Sequence, residues 1–146
     1  MNAGSEIVVF RLGEVTCGLD VIQVNEIKKI KSFTKVYRAP SYVRGLVNMR
    51  GQIVTLVDVR ERLGLTPREV PGEAEVVIVG HQGELVGLLV DEVQDVILAE
   101  PDSVAPPPPN LGGVEGRFFK AVVTTPTGLV ALVDKDRLAG LEREAR

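Results

Sequence analysis

Few side chains in this sequence of 146 residues could carry out covalent or acid–base chemistry. His81 is its single histidine and Cys17 its single cysteine, so a Ser-His or Cys-His nucleophile would have to use His81 and a zinc site would lack ligands. His81 lies in the segment His81-Gln82-Gly83-Glu84, which we interpret as a hairpin turn. Neither a Walker pattern nor GxGxxG occurs, and nothing singles out one pair of carboxylates. We therefore predict a protein that is not an enzyme and that has no catalytic residues, metal or cofactor.

Charged side chains are distributed unevenly along the chain. Seven cations and no acid occur from Lys28 to Arg50, whereas nine acids and no lysine or arginine occur from Glu69 to Asp102. Such polarity can steer two different partners to two faces, although solvated edge residues would have the same composition. The Lys28–Arg50 basic stretch leaves open a nucleic-acid-binding β-barrel protein. The net charge of −3 and the aromatic content of 4% disfavour that alternative, because base stacking needs aromatic side chains.

Composition and length favour one ordered domain over residues 1–146. Apolar residues make up 45% and charged residues 25%, which is typical of a globular protein. Cys17 alternates with polar neighbours and should face the core, and a lone cysteine favours a reducing compartment. The sequence has no run of eighteen apolar residues, and its first residues lack the basic start and apolar stretch of a signal peptide. We expect a cytoplasmic protein without direct membrane insertion.

Two separate blocks of the sequence are repeated, and each block has its own constant offset. Glu6–Phe10 matches Glu75–Val79 at an offset of 69, and Val43–Val47 matches Phe119–Val123 at an offset of 76. Constant offsets over two blocks indicate an internal duplication, with pseudo-repeats over about residues 6–65 and 75–140.

Each repeat is predicted to consist mostly of strands. Regularly spaced strands with few helices are typical of small barrels or a sandwich, and two repeats suggest two linked barrel subdomains. One short helix should begin at Asp58, with Glu61 three residues on as in a capping box. A second should begin near Asp134 and run towards the C-terminus, with Leu138 and Leu141 on one face.

The corresponding hairpin tips of the two repeats differ in charge. The first is Asn48-Met49-Arg50-Gly51 and the second is Thr124-Thr125-Pro126-Thr127-Gly128. Only the first presents a long cation, and the planar fork of arginine suits bidentate pairing with a carboxylate of a partner. Arg50 is therefore a candidate contact residue, and a solvated turn arginine is the alternative.

The segment Arg38–Gly64 resembles the signature of the CheW coupling proteins of bacterial chemotaxis. It contains Gly45-Leu46-Val47-Asn48-Met49-Arg50-Gly51, an apolar strand, and then Asp58-Val59-Arg60. Phe10–Gly13, Gly18–Ile27 and Val86–Val93 are also similar to the family, so the resemblance covers about residues 6–140.

The resemblance implies a mainly β fold, in which two SH3-like five-stranded β-barrels pack around a shared core within a single CheW-like domain. It also implies a non-enzymatic adaptor in chemotaxis signal transduction. Such an adaptor links the cytoplasmic tips of methyl-accepting chemoreceptors to the CheW-like regulatory domain of the histidine kinase CheA. The receptor tip would lie in the groove between the barrels, and the adaptor would be cytoplasmic but recruited to membrane-associated receptor arrays.

The resemblance also associates two groups of positions with partners. The positions for receptor contact are Val24, Glu26 and Arg50. The positions on a face for the kinase or the receptor are Gly87, Val93 and Val96.

Overall fold

The computed structural model describes residues 5–66 and 74–140, and most of these residues lie in strands. The first range contains β1 (Ser5–Leu12), β2 (Val15–Asp20), β3 (Val24–Ile30), β4 (Val43–Met49), β5 (Gln52–Asp58) and the helix α1 (Val59–Arg62). The second contains β6 (Ala74–His81), β7 (Glu84–Val90), β8 (Glu92–Ala99), β9 (Val104–Ala105), β10 (Asn110–Leu111), β11 (Val114–Glu115), β12 (Phe119–Thr125), β13 (Gly128–Val133) and the helix α2 (Lys135–Ala139). No helix in these two ranges is long and apolar enough to cross a membrane.

The main strands form two sheets, as the predicted pair of barrels requires. One has six strands in the order β8-β1-β2-β13-β12-β9, and the other has five in the order β3-β6-β7-β5-β4. The edges of the six-stranded sheet, β8 and β9, are joined by a short connection. In the five-stranded sheet, Thr34 follows β3 and exchanges backbone hydrogen bonds of 2.9 and 2.8 Å with Leu46 of β4. We call the two units the six-stranded barrel and the five-stranded barrel.

Each barrel contains strands from both sequence repeats. The strands β1 and β2 of the first repeat join β8, β12 and β13 of the second, while β3, β4 and β5 join β6 and β7. Two parallel pairs connect the repeats, β2 with β13 and β5 with β7. The prediction that each repeat forms its own barrel subdomain is therefore wrong. Alternation within a hairpin determines which face is buried, but it does not determine which hairpin becomes its neighbour.

Matching irregularities in the strands support the internal duplication. The β-bulge at Asn25 in β3 corresponds to the bulge at Gln94 in β8, 69 residues later. The bulge at Arg44 in β4 corresponds to the bulge at Lys120 in β12, 76 residues later. These separations equal the sequence offsets of the two repeats. Because bulges bend a strand at a defined place, the repeats share their local geometry as well as their apolar pattern.

The buried apolar side chains confirm the predicted core shared by both barrels. Phe10 and Leu19 from the six-stranded barrel pack in one cluster with Val57 and Leu88 from the five-stranded barrel. Each sheet also has its own smaller cluster of buried apolar residues. Burial of one such large side chain contributes about 1.5–3 kcal/mol, so the shared cluster holds the two barrels together.

Both predicted helices begin at the expected aspartates. The Asp58 carboxylate accepts a hydrogen bond from the backbone N–H of Glu61 at 3.3 Å. The Asp134 carboxylate accepts two such bonds, of 3.1 and 3.2 Å, in the first turn of α2. Leu138 is fully buried in the shared core. Leu141, which was expected on the same face, lies outside the described residues.

Cys17 lies in β2 with its side chain in the shared core, which confirms the prediction from strand alternation. Burial, and secondarily the charge of Asp91, raise the pKa of the Cys17 thiol to about 12. Because the thiolate is the reactive form, we expect no reaction with Ellman's reagent in the native protein and one reactive thiol after denaturation. The variant Thr127→Cys, at an exposed hairpin tip, is the control and should show one reactive thiol when folded. Rapid labelling of native Cys17 would contradict its assignment to the core.

Candidate functional site

An ion pair joins two of the predicted receptor-contact residues at the end of the five-stranded barrel. Arg50 is at the tip of the β4–β5 hairpin, and Glu26 lies in β3. The Arg50 Nη2 atom is 2.5 Å from Glu26 Oε1, and Nη1 is 3.3 Å from Oε2. The tertiary structure thus brings together two residues that are 24 positions apart in the chain.

Local backbone geometry positions both members of this pair. Arg50 has φ +53° and Gly51 has φ +84°, so the two-residue tip has the positive φ values of a tight hairpin turn. The Asn48 side chain accepts a hydrogen bond of 3.0 Å from the Gly51 N–H, which holds the turn. On the other strand, the bulge at Asn25 directly precedes Glu26, and bulges commonly redirect the side chains beside them.

The pair is charged at neutral pH and accessible to a partner. The hydrogen bond from Arg50 lowers the pKa of Glu26 below its usual range, and the charges of Arg50 and Lys28 add to this effect. The pair therefore persists above the usual pKa of a glutamate and is lost only as the pH falls through the lowered value. The Arg50 side chain is 70% exposed and that of Glu26 is 28% exposed. Such an exposed pair orients groups more than it stabilises a fold.

Exposed isoleucines flank the ion pair in the sequence. Ile22 is 88% exposed and precedes Glu26, and Ile27 follows it. Ile53, which pairs with Asn48 across the hairpin, is 55% exposed. Strand alternation did not identify these side chains as contact candidates. The available signal for Ile27 and Ile53 was an isoleucine at a solvent-facing position of the strand alternation, whereas Ile22 lies in the short 3-10 turn between β2 and β3.

Val24, the third predicted receptor-contact residue, has a different environment. It is the first residue of β3, is half-buried, and packs against the shared core. Its contribution to a docking surface is therefore limited to the part of the side chain that remains accessible.

Gly87 is buried inside the five-stranded barrel and offers no surface to a partner. A Cβ atom there would lie 2.7 Å from Val76 Cγ1 and 2.9 Å from Leu56 Cδ2. Gly18, its counterpart in the six-stranded barrel, is crowded by side chains in the same way. The prediction that Gly87 binds a partner is therefore wrong, because this glycine allows close packing within the barrel.

The other two residues predicted for the kinase or receptor face differ in exposure. Val93 is half-buried against the shared core, and its N–H donates a hydrogen bond of 2.8 Å to the Glu75 carboxylate. Val96 lies in β8 of the six-stranded barrel and is 50% exposed. Of the three residues in this group, Val96 has the most accessible apolar side chain.

Two further charged residues of the Asp58-Val59-Arg60 motif have structural roles. Arg44 donates hydrogen bonds of 2.7 and 3.0 Å to the Asp58 carboxylate. Arg60 donates two bonds of 2.8 Å to Asp91, which also accepts one of 2.7 Å from the Gly13 N–H. The Asp91 side chain is only 3% exposed. This motif therefore connects α1 to the β1–β2 turn and to the junction between β7 and β8.

His81 is the last residue of β6, and the turn that follows consists of Gln82 and Gly83. His81 pairs with Glu84 across this tip, which confirms the predicted hairpin turn His81-Gln82-Gly83-Glu84. The Nδ1 atom of His81 is 2.9 Å from the Asp136 carboxylate, and this contact attaches the start of α2 to β6. Lys135 and then His81 lower the pKa of Asp136 by hydrogen bonding. Within residues 5–66 and 74–140, no three side chains of metal-ligating type cluster.

The cations of the Lys28–Arg50 stretch do not form one free basic surface. Lys28 and Arg50 both contact Glu26, and Arg44 contacts Asp58. Three of the seven cations are therefore in ion pairs with two acids of the same chain. This pairing gives no support to the nucleic-acid-binding alternative, which would need cations available to phosphates.

Comparisons with known proteins cover almost the whole chain. The family model described as "CheW-like domain" matches residues 6–143. A "Chemotaxis protein CheW" of Rhizobium meliloti is 33% identical over 99% of this chain and 94% of its own length. A "Chemotaxis protein CheW" of Bacillus subtilis is 26% identical over 99% of this chain and 92% of its own length. The crystal structure of the scaffolding protein TtCheW from Thermoanaerobacter tengcongensis superposes with a TM-score of 0.87 and 31% identity, and covers 98% of this chain and 96% of that one.

Proposed function

This chain belongs to the family of CheW-like domains, and we propose that it is a non-enzymatic adaptor that couples chemoreceptors to a histidine kinase in chemotaxis. The similarity to chemotaxis proteins and to a scaffolding protein, over nearly the full length of each, supports this function. In this proposal the partners are the CheW-like regulatory domain of CheA and the cytoplasmic tip of a methyl-accepting receptor. The adaptor would act in the cytoplasm, recruited to membrane-associated receptor arrays.

The pairing of Glu26 with Arg50 is the observation that supports the proposed receptor contact. The two residues form an exposed, charged pair, and exposed isoleucines flank them in the sequence. A receptor tip made of helices could lay an apolar face against such isoleucines while the ion pair sets its orientation. Charges at the rim of an interface mainly tune the association rate and the specificity. The second surface in this proposal, for the kinase, includes Val96 and the accessible part of Val93.

Coupling in this mechanism needs no chemistry within the adaptor. Binding of one partner raises the effective concentration of the other, so two modest affinities can produce one stable assembly. The adaptor transmits a signal if it binds the receptor or the kinase with different affinity in their active and inactive states. Its two barrels, joined by a shared core, would keep the two docking surfaces in a fixed relation.

We expect Arg50→Ala to weaken receptor coupling by about tenfold or more, because the variant loses the guanidinium and leaves Glu26 unpaired at the interface. The experiment reconstitutes CheA, a receptor tip and this chain, and measures receptor-stimulated kinase autophosphorylation over a range of adaptor concentrations. Glu26→Gln should have the same effect, since either substitution removes the pair. Thermal unfolding should change little for both variants, because the pair is solvated.

The matched control is Arg38→Ala. Arg38 is also an exposed arginine with a positive φ (63°) in the basic stretch, but it lies outside the ion pair. It should couple as well as the wild type. Wild-type coupling in Arg50→Ala and Glu26→Gln would remove the receptor-contact assignment, and failure of the unaltered chain to support any stimulation would remove the adaptor function itself.

A further inference from the structure

Each barrel has an opening, which we call its mouth, beside one hairpin tip: β4–β5 in the five-stranded barrel and β12–β13 in the six-stranded barrel. The two mouths differ in how they are filled. Beside the Glu26–Arg50 pair, the five-stranded barrel has a small cavity of about 140 Å³, lined in part by Val54. The offset of 69 places Asp95 at the position of Glu26, and the offset of 76 places Pro126 at the position of Arg50. Asp95 and Pro126 indeed line one cavity at the end of the six-stranded barrel, and its volume is about 580 Å³.

The larger mouth carries negative charge, and none of the described residues that line it is a lysine or an arginine. Asp95 and Glu100 both line it. The Asp95 carboxylate accepts a hydrogen bond of 2.7 Å from the neighbouring Val96 N–H. Within the described part of the chain, neither carboxylate takes part in an ion pair. In the corresponding mouth, by contrast, Glu26 binds a guanidinium group.

The chain cannot supply the missing cation from the corresponding hairpin tip. Pro126 has no charge, and its ring fixes φ near −65°, whereas Arg50 has φ +53°. The β12–β13 tip therefore differs from the β4–β5 tip in both side chain and turn geometry. The consequence is an open cavity with an acidic residue at the place where the other repeat has an internal salt bridge.

The walls of this mouth suit a long side chain with an apolar stem. Val9, Ile97 and Val130 line it together with threonines of the β12–β13 tip. Arginine and lysine bury their methylene groups along apolar surface and keep the charged head beside polar groups. Arginine in addition forms bidentate hydrogen bonds with a carboxylate, as Arg50 does with Glu26.

We propose that the mouth of the six-stranded barrel binds an arginine side chain presented by a loop or hairpin of a partner protein, with Asp95 as its counter-ion. The bound arginine takes the place that Arg50 occupies in the five-stranded barrel. Arg50 is already engaged with Glu26, and no described lining residue is a cation, so we assign the occupant to another protein. This site is separate from the proposed receptor contact and does not depend on the adaptor function.

The test uses a cyclic peptide built on the sequence Val47–Gln52, which presents arginine on a turn like that of the β4–β5 hairpin. Its partner peptide has citrulline, which has the shape of arginine but no charge. Each is titrated into the full chain labelled with ¹⁵N, and amide shifts are recorded. The arginine peptide should shift the amides of residues 95–98, 124, 125 and 127. The affinity of the citrulline peptide should be lower by a factor of about five or more.

Two variants locate the counter-ion. Asp95→Asn keeps the local hydrogen bond to Val96 and is exposed, so it should fold normally but lose at least about fivefold in affinity for the arginine peptide. Asp102→Asn removes the same charge from an exposed position that does not line the cavity, and it should bind like the wild type. The proposal is overturned if the peptide causes no shifts, if both peptides bind equally, if Asp95→Asn has no effect, or if the shifts are confined to the Glu26–Arg50 mouth.

Discussion

Replacement of Asp91 by alanine should lower the free energy of unfolding by about 3–5 kcal/mol, which is the cost of breaking a buried ion pair by removing one partner. The Asp91 side chain is 3% exposed, and Arg60 contacts both of its oxygens at 2.8 Å. The substitution leaves the largely buried guanidinium of Arg60 without its carboxylate and the Gly13 N–H without its acceptor. Because small domains are stable by only about 5–15 kcal/mol, this loss is a large fraction of the total. Urea denaturation followed by circular dichroism measures it.

Controls for Asp91→Ala separate the ion pair from a general effect of charge. Asp102→Ala removes an exposed acid and should change stability by about 0.5 kcal/mol or less. The double variant Asp91→Leu with Arg60→Leu should be more stable than Asp91→Ala, since it leaves no unpaired buried charge. If Asp91→Ala unfolded at the same urea concentration as Asp102→Ala, the link between α1 and the β7–β8 junction would be dispensable.

The second large effect is expected at Gly45, where substitution by alanine should cost about 3 kcal/mol. A Cβ atom at Gly45 would collide with the backbone carbonyl oxygen of Thr34 and lie 2.6 Å from the Phe33 ring. Thr34 forms the two backbone hydrogen bonds to Leu46 that bring the edges of the five-stranded barrel together. Backbone atoms cannot move aside as a flexible side chain does, so these bonds must break or lengthen. Hydrogen exchange at the Thr34 and Leu46 amides should rise together with the loss of stability.

Gly80→Ala is the matched control for Gly45→Ala. Gly80 also lies in a strand, β6, but no atom beyond its adjacent residues comes within 4 Å of a Cβ built there. Alanine at that position should be neutral or stabilising by about 0.5 kcal/mol, because it restricts the unfolded chain. Equal stability of the two variants would show that the segment around Thr34 adapts to the extra methyl group. In that case the first glycine of the Gly45–Gly51 motif would need another explanation.

Both predictions concern contacts that residues of the family signature make for structural reasons. Gly45 permits barrel closure, and Asp58 and Arg60 form buried contacts with Arg44 and Asp91. Glu26 and Arg50, by contrast, pair at the surface, where a partner can reach them. The signature thus combines buried scaffold residues with Arg50, for which we propose a partner contact, and burial separates the two groups.

Features that depend on neighbouring residues could be predicted from the sequence. The strands, the tight hairpin tips and the helix starts at Asp58 and Asp134 follow from alternation, turn chemistry and capping, all of which act over a few positions. The internal duplication was also visible, because offsets of 69 and 76 persist in the bulges at Asn25 and Arg44 and their counterparts. The resemblance of Arg38–Gly64 to the CheW signature identified the family, which the family model and the relatives confirm.

The tertiary structure alone decided how these elements combine. Three features depend on residues that are far apart in the chain. They are the exchange of strands between the repeats, the burial of Gly87 and the pairing of Arg60 with Asp91. Local patterns carry no information about such pairings, because they specify which face of a strand is apolar but not which strand lies beside it. For the same reason, the contrast between the mouth that holds the Arg50–Glu26 pair and the larger mouth at Asp95 became apparent only once both barrels were assembled.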